Sequence, residues 1–144
     1  MAIGYLTRAV HFSASHHYYR PEWSEEENRR RFGPAASPEG HGHNYRCEVT
    51  LCGPIDEHAG VVMDLPEFDR LLADEIVDRF HNRNINSAVP EFGPGRDLPT
   101  TENLAAYILE RVRARLPSGV RVYRVRVQED RDLWSDVYES DQPV

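Results

Sequence analysis

The sequence predicts an α+β protein built on one antiparallel sheet. Three observations carry that prediction. Two segments near the start alternate in polarity with a period of two. Two in the middle carry apolar residues at helical spacing, and two runs rich in β-branched and aromatic residues close the chain. Strands and helices are segregated in pairs, which favours an antiparallel sheet over a parallel one. The length of 144 residues fits a single domain spanning 1–144.

Residues 3–15 place Ile3, Tyr5, Thr7, Ala9, His11 and Ser13 on one parity and Leu6, Val10 and Phe12 on the other, a first strand. Residues 18–40 hold Pro21, Gly33, Pro34, Pro38 and Gly40 and read as a long connection. Inside it, Ser24 and Glu27 fit a capping box, and Glu25, Glu26 and Glu27 each precede an arginine by four residues. That predicts one or two exposed helical turns; the same arginines also offer a patch to an anionic ligand. Residues 43–52 alternate again, Tyr45, Cys47, Val49 and Leu51 against Arg46, Glu48 and Thr50, and Gly53-Pro54 ends this second strand.

A helix starts at Asp64, with Pro66 in its first turn and Glu67 completing the cap. Leu65, Phe68, Leu72, Ile76 and Phe80 form its apolar stripe. Residues 86–99, with Pro90, Gly93, Pro94, Gly95 and Pro99, read as a loop. Thr100 or Thr101 caps a second helix, with Leu104, Ile108, Val112 and Leu116 as its stripe and Pro117-Ser118-Gly119 as its stop. Val120 and Val122 share one parity, while Tyr123, Val125 and Val127 share the other, so a bulge is expected near Tyr123. A turn at Asp130-Arg131-Asp132 leads to a last strand at Leu133 to Tyr138. The expected order is ββααββ, with four strands and two helices.

Composition excludes several function classes. All seventeen basic residues are arginine, against 24 acidic ones, for a net charge of −7. Without lysine there is no Schiff-base chemistry and no phosphate-cradling P-loop. The charge argues against nucleic acid or an anionic membrane as partner. No stretch approaches the ~18 apolar residues of a membrane span. Cys47 and Cys52 lie five apart on one strand, facing opposite ways, and no signal peptide is evident at the start. The expected compartment is reducing and cytoplasmic.

The chemistry concentrates in the histidines. His41-Gly42-His43 opens the second strand, and side chains at i and i+2 of a strand share a face. His16, at the end of the first strand, supplies a third imidazole if the two strands pair. Three histidines leave the fourth position of a tetrahedral zinc open for water or substrate. A bare His-x-His is a weak signal; the flanking Gly40 and Gly42 and the third histidine strengthen it.

Phe12-Ser13-Ala14-Ser15-His16, followed by Gly40-His41-Gly42-His43-Asn44-Tyr45, resembles the 6-pyruvoyltetrahydropterin synthase and 6-carboxytetrahydropterin synthase family. The resemblance continues through Val61-Val62-Met63-Asp64-Leu65, Thr100-Thr101-Glu102-Asn103 and Val127-Gln128-Glu129. It implies the tunnelling fold (T-fold), assembled as a homohexamer of two stacked trimers with pterin sites at subunit interfaces. It also implies zinc on His16, His41 and His43, and a pterin-like small molecule anchored by Glu102 and Glu129 with help from Thr100 and Thr101. A carboxylate can accept two N–H donors from the edge of such a ring at once.

The sequence departs from the family at its catalytic triad. The loop cysteine that serves as base falls on Ala35, and the Asp-His pair falls on His81 and Asn82 or, with a one-residue slip, on Phe80 and His81, so the pair is broken either way. The standard elimination from dihydroneopterin triphosphate is therefore not expected. Two residues remain as substitutes: Glu39, in a loop where some relatives use a glutamate, and His81, whose imidazole is the side chain type most often used as a general base. Three readings follow. The chain is a pterin-binding homologue without the standard reaction, or a lyase cleaving the dihydroneopterin side chain with Glu39 or His81 as base. The third reading is a non-catalytic structural or regulatory hexamer.

Overall fold

In the computed structural model, which describes residues 1–139, a twisted five-stranded sheet packs one face against helices. The elements are β1 (Ile3–His16), α1 (Glu25–Phe32), β2 (His41–Pro54), α2 (Leu65–Leu72), α3 (Asp78–Phe80), β3 (Arg83–Asn84), α4 (Ile85–Ala88), α5 (Thr101–Arg113), β4 (Arg121–Asp130) and β5 (Leu133–Tyr138). The strand order is β3-β1-β2-β4-β5. Four of these strands are antiparallel to their neighbours, and β3 runs parallel to β1.

This corrects the expected four-stranded ββααββ pattern in two places. α1 stands between β1 and β2, and β3 adds a fifth strand that makes the sheet mixed. Both extra elements are short. A two-residue strand carries no period, and its pairing with Ala14 and Ser15 depends on how the chain returns after α3. The stretch expected to be loop after residue 85 also holds α4 and a 3₁₀ turn at Pro90–Phe92.

The other elements follow their local chemistry. The Ser24 hydroxyl caps α1 by accepting from Glu27 N–H, and Asp64 caps α2 in the same way. Thr100, rather than Thr101, caps α5. The bulge falls at Tyr123: Thr50 pairs with Arg124 while Leu51 pairs with Val122, so Tyr123 is the unmatched residue. α5 ends at Arg113, before Pro117.

The inner sheet face presents Phe12, Tyr45, Cys47, Val49, Leu51, Val122, Val125 and Val127 to Phe68, Leu72, Ile76 and Phe80 and to Leu104, Ile108 and Val112. Phe12 stacks on Tyr45 at 4.8 Å and on Phe80 at 5.3 Å, which ties the sheet to α3. Truncating Leu104 or Ile108 to alanine here would cost ~2–5 kcal/mol. Both cysteines are free and buried, and burial pushes the Cys47 thiol well up. Among the described residues, no helix is long and apolar enough to cross a membrane.

Candidate functional site

The site lies where β1 ends and β2 begins. Antiparallel register places His16 opposite His41 and Ala14 opposite His43. Such close pairing needs Gly40. Its φ is +72°, and a Cβ there would stand 2.8 Å from the His16 carbonyl oxygen. With Gly40 in place, the three imidazoles converge on the helix-covered face. Ring centroids are 4.8 Å apart for His16–His41, 4.8 Å for His41–His43 and 5.1 Å for His16–His43. One nitrogen from each lies within 4.8 Å of the others.

The hydrogen bonds around His16 set its tautomer. Its Nδ1 is 3.0 Å from the Pro99 carbonyl, which can only accept, so Nδ1 carries the proton. Tyr45 Oη lies 3.1 Å from the same nitrogen and shares that proton. Nε2 is left with its lone pair, buried and without a partner; His43 Nε2 is orphaned likewise. Burial, then His41 and His43, push the His16 ring down to about 4, and burial and His43 lower His41 as well. Burial thus favours neutral His16 and His41, with the His16 Nε2 lone pair unpartnered, and a buried polar atom without a partner costs about 1–3 kcal/mol. A divalent cation fits this donor set, and zinc suits three imidazoles.

β4 supplies the wall. Glu129 is buried, its Oε2 is 3.7 Å from His43 Nε2, and its Oε1 has no partner. Burial pushes its carboxyl up. His43 pulls the other way, and the nearby Asp130 and Glu102 add to the rise. Glu102 sits in the first turn of α5, where its Oε1 accepts from the Thr101 hydroxyl at 3.0 Å. Thr101 in turn meets Ser135 at 2.6 Å, while Thr100 spends its hydroxyl on capping Asn103 N–H. Both Glu102 and Glu129 bear electrostatically on Tyr18, whose hydroxyl they and burial push up.

The structure therefore brings together His16, His41, His43, Glu129 and Glu102, with Thr101 beneath. Among the described residues, none of Glu39, His81 and Asn82 forms a hydrogen bond or ion pair with these side chains, although Asn82 and His43 line one recess. Glu39 is exposed and forms no hydrogen bond among the described residues. His81 and Asn82 lie beyond β1, on the far side of the sheet order from β4. His81 Nδ1 accepts from Ser13 N–H at 3.0 Å, and Asn82, at φ 59°, donates its N–H to Ser13 O at 2.7 Å. Ala35 is half-buried in a 3₁₀ turn, its carbonyl bonded to Tyr18 N–H.

Tyr18, Tyr45 and Pro99 were not anticipated. Tyr45 shares the parity of His41 and His43, so the alternation could have flagged it. Pro99 reaches His16 only through the tertiary fold.

A profile of the 6-pyruvoyl tetrahydropterin synthase family matches residues 5–140. The 6-pyruvoyl tetrahydrobiopterin synthase of Homo sapiens is 40% identical over 124 residues, covering 86% of this chain and 83% of that protein. The dihydroneopterin monophosphate aldolase of Pyrococcus furiosus is 31% identical over 122 residues, covering 85% and 86%. The solved 6-pyruvoyl tetrahydropterin synthase of Caenorhabditis elegans superposes with a TM-score of 0.89 at 30% identity, over 97% of this chain and 98% of that one.

Proposed function

The chain belongs to the 6-pyruvoyl tetrahydropterin synthase family, and from that premise we propose that it binds a pterin beside the three histidines without running the family's standard triphosphate elimination. One observation carries the reading: Glu129 Oε1, buried and unpartnered, next to His43. A buried carboxylate oxygen with no donor calls for an N–H from a ligand. The edge of a pterin supplies several, and Glu102 extends the acceptor wall. Thr101 and Ser135 hold Glu102 in place through linked hydroxyls.

His16, His41 and His43 would hold a zinc ion, which when bound supplies a Lewis acid toward a side-chain oxygen of the ligand. Pro99 and Tyr45 fix the His16 ring so that Nε2 faces that position. The elimination is set aside because Ala35 and Asn82 carry no titratable group and His81 Nδ1 is engaged by the backbone. The expected assembly is a homohexamer. The half-exposed Leu133 and Trp134 on β5, the outermost strand, support it.

Titration of intrinsic fluorescence with sepiapterin or biopterin tests the reading. Saturable binding that Glu129→Gln weakens by a hundredfold or more is expected. No binding would favour the structural or regulatory hexamer, and unchanged affinity in the variant would remove Glu129 as the anchor. Metal analysis of protein purified without chelator should find zinc near one per chain, lost in His41→Ala.

A second reading is favoured by the free carboxylate of Glu39, two residues before His41, and by the likeness to the aldolase. Here the chain is a lyase that cleaves the side chain of dihydroneopterin or its phosphates, with Glu39 as base. Product chromatography after incubation decides: no turnover, or turnover that survives Glu39→Ala, rejects it.

A further inference from the structure

We propose that the outer face of the sheet, opposite the three histidines, carries a second site that takes a phosphate-class oxyanion. On this face the register sets Ser13 beside Asn44 and His11 beside Arg46, and His81 closes the edge. These side chains line a recess of about 380 Å³. A neighbouring recess of about 440 Å³ shares Ser13 and Asn44, adds Arg83 and reaches the His43 position of β2. No carboxylate lines either one.

The hydrogen-bond inventory decides the sign of the ligand. His81 Nδ1 is taken by Ser13 N–H at 3.0 Å, so the neutral ring carries its proton on Nε2, away from the strand. The Ser13 hydroxyl donates to Asn44 Oδ1 at 2.6 Å, which occupies one lone pair of the amide oxygen and leaves the Asn44 NH₂ as donor. Arg46 uses Nε on Glu48 Oε2 at 3.3 Å and keeps its terminal nitrogens. The His11 ring makes no hydrogen bond among the described residues. Free N–H donors therefore outnumber free acceptors on this face, and two of the donor side chains are arginines. That is the surface an oxyanion needs, since hydrogen bonds from charged donors are about twice as strong as neutral ones. The adjoining recess with Arg83 gives room for a second phosphate.

His81 therefore enters as a hydrogen-bond donor to an anion. As a base it would have to take a proton on Nδ1 and give up the Ser13 bond. The site does not rest on the pterin reading, and inorganic probes test it separately.

Calorimetric titration with pyrophosphate, in chloride buffer of low ionic strength, should show saturable binding of one equivalent per chain. Arg46→Ala and His81→Leu should each weaken it at least tenfold. Arg113→Ala, an exposed arginine on α5, should leave it unchanged. His81→Gln, which can accept from Ser13 N–H and still donate, should retain most of the affinity, and this separates a positioned donor from a merely structural ring. Far-UV dichroism of each variant confirms folding, and His11→Ala replaces any variant that fails. No saturable binding to the wild type, or an equal loss in Arg113→Ala, overturns the proposal. Displacement of pyrophosphate by a phosphorylated pterin would support the site and assign it to a substrate tail. Binding of pyrophosphate undisturbed by that pterin would support it and assign it to free phosphate.

Discussion

Two buried glutamates in this protein face opposite fates. Glu75 sits in a π-helical turn, Ala73–Val77, between α2 and α3. Its carboxylate accepts from Arg79, Arg111 and Arg115, with Asp74 sharing Arg115. Burial pushes Glu75 up, but the bonds from Arg111 and Arg115 outweigh it and hold the carboxyl below its ordinary range. Glu129 has no such company: one oxygen is orphaned, its nearest basic group is a histidine, and its carboxyl is held above the ordinary range. Similar burial thus gives opposite electrostatics. A saturated buried charge is structural, whereas an unsaturated one is a vacancy in the hydrogen-bond ledger that a ligand can fill.

The largest test of this contrast is Glu75→Ala. Removing the shared acceptor leaves three arginines facing one another and should cost about 3 kcal/mol by urea denaturation, the low end for a broken buried pair because the arginines reach solvent. A loss below about 1 kcal/mol would mean the cluster is decorative.

Acidification of metal-free protein comes next. Native His16 stays neutral down to about 4, whereas in the unfolded chain it takes a proton near 6.5. The unfolded state binds more protons between those values, so stability is complete above the upper one and falls as pH drops through the window. The loss is on the order of 3 kcal/mol. Glu75, held ionised in the native state, adds to the fall only at the acid end of that window, where an unfolded glutamate begins to take a proton. Denaturation midpoints measured from pH 7 to pH 4 check the slope, and a flat profile would contradict the buried neutral ring.

Gly40→Ala should cost about 2 kcal/mol from the positive φ. Its Cβ would also meet the His16 carbonyl, so zinc affinity should fall at least tenfold. Glu129→Gln should change stability by less than about 1 kcal/mol, since no bond to the carboxylate is lost, while removing pterin binding. A large stability loss there would place Glu129 with Glu75 among the structural residues.

Much of the fold was legible because long elements carry periods. Residues 3–15 and 133–138 were read almost as they stand, and the parity switch at Tyr123 marked a real bulge. β3 and α4 were not, since elements of two and four residues have no pattern and exist through contact with β1. At the site, His41 and His43 announce themselves by spacing, and His16 follows once the strands pair. Glu102 and Glu129 were visible through the family resemblance alone; nothing in their local sequence marks them. The Glu75 cluster was invisible because its arginines come partly from α5, on a separate helix. His81 was read as a base from residue type, and only the tertiary bond from Ser13 N–H shows which nitrogen is free.

The register that sets Arg46 opposite Gln128 joins strands far apart in sequence, whereas β1 and β2 are joined through a shorter connection. Closing the longer loop is the slower event. We therefore expect the three histidines to gather in the folding transition state and the Glu129 wall to be raised afterwards. Phe12→Leu should then slow folding, whereas Val125→Ala should mainly speed unfolding, and chevron analysis reads the two apart. Equal slowing of folding by both would make the assembly a single concerted event. If the order holds, a metal ion present during folding meets its nitrogen ligands on an open sheet, before the pocket has a roof.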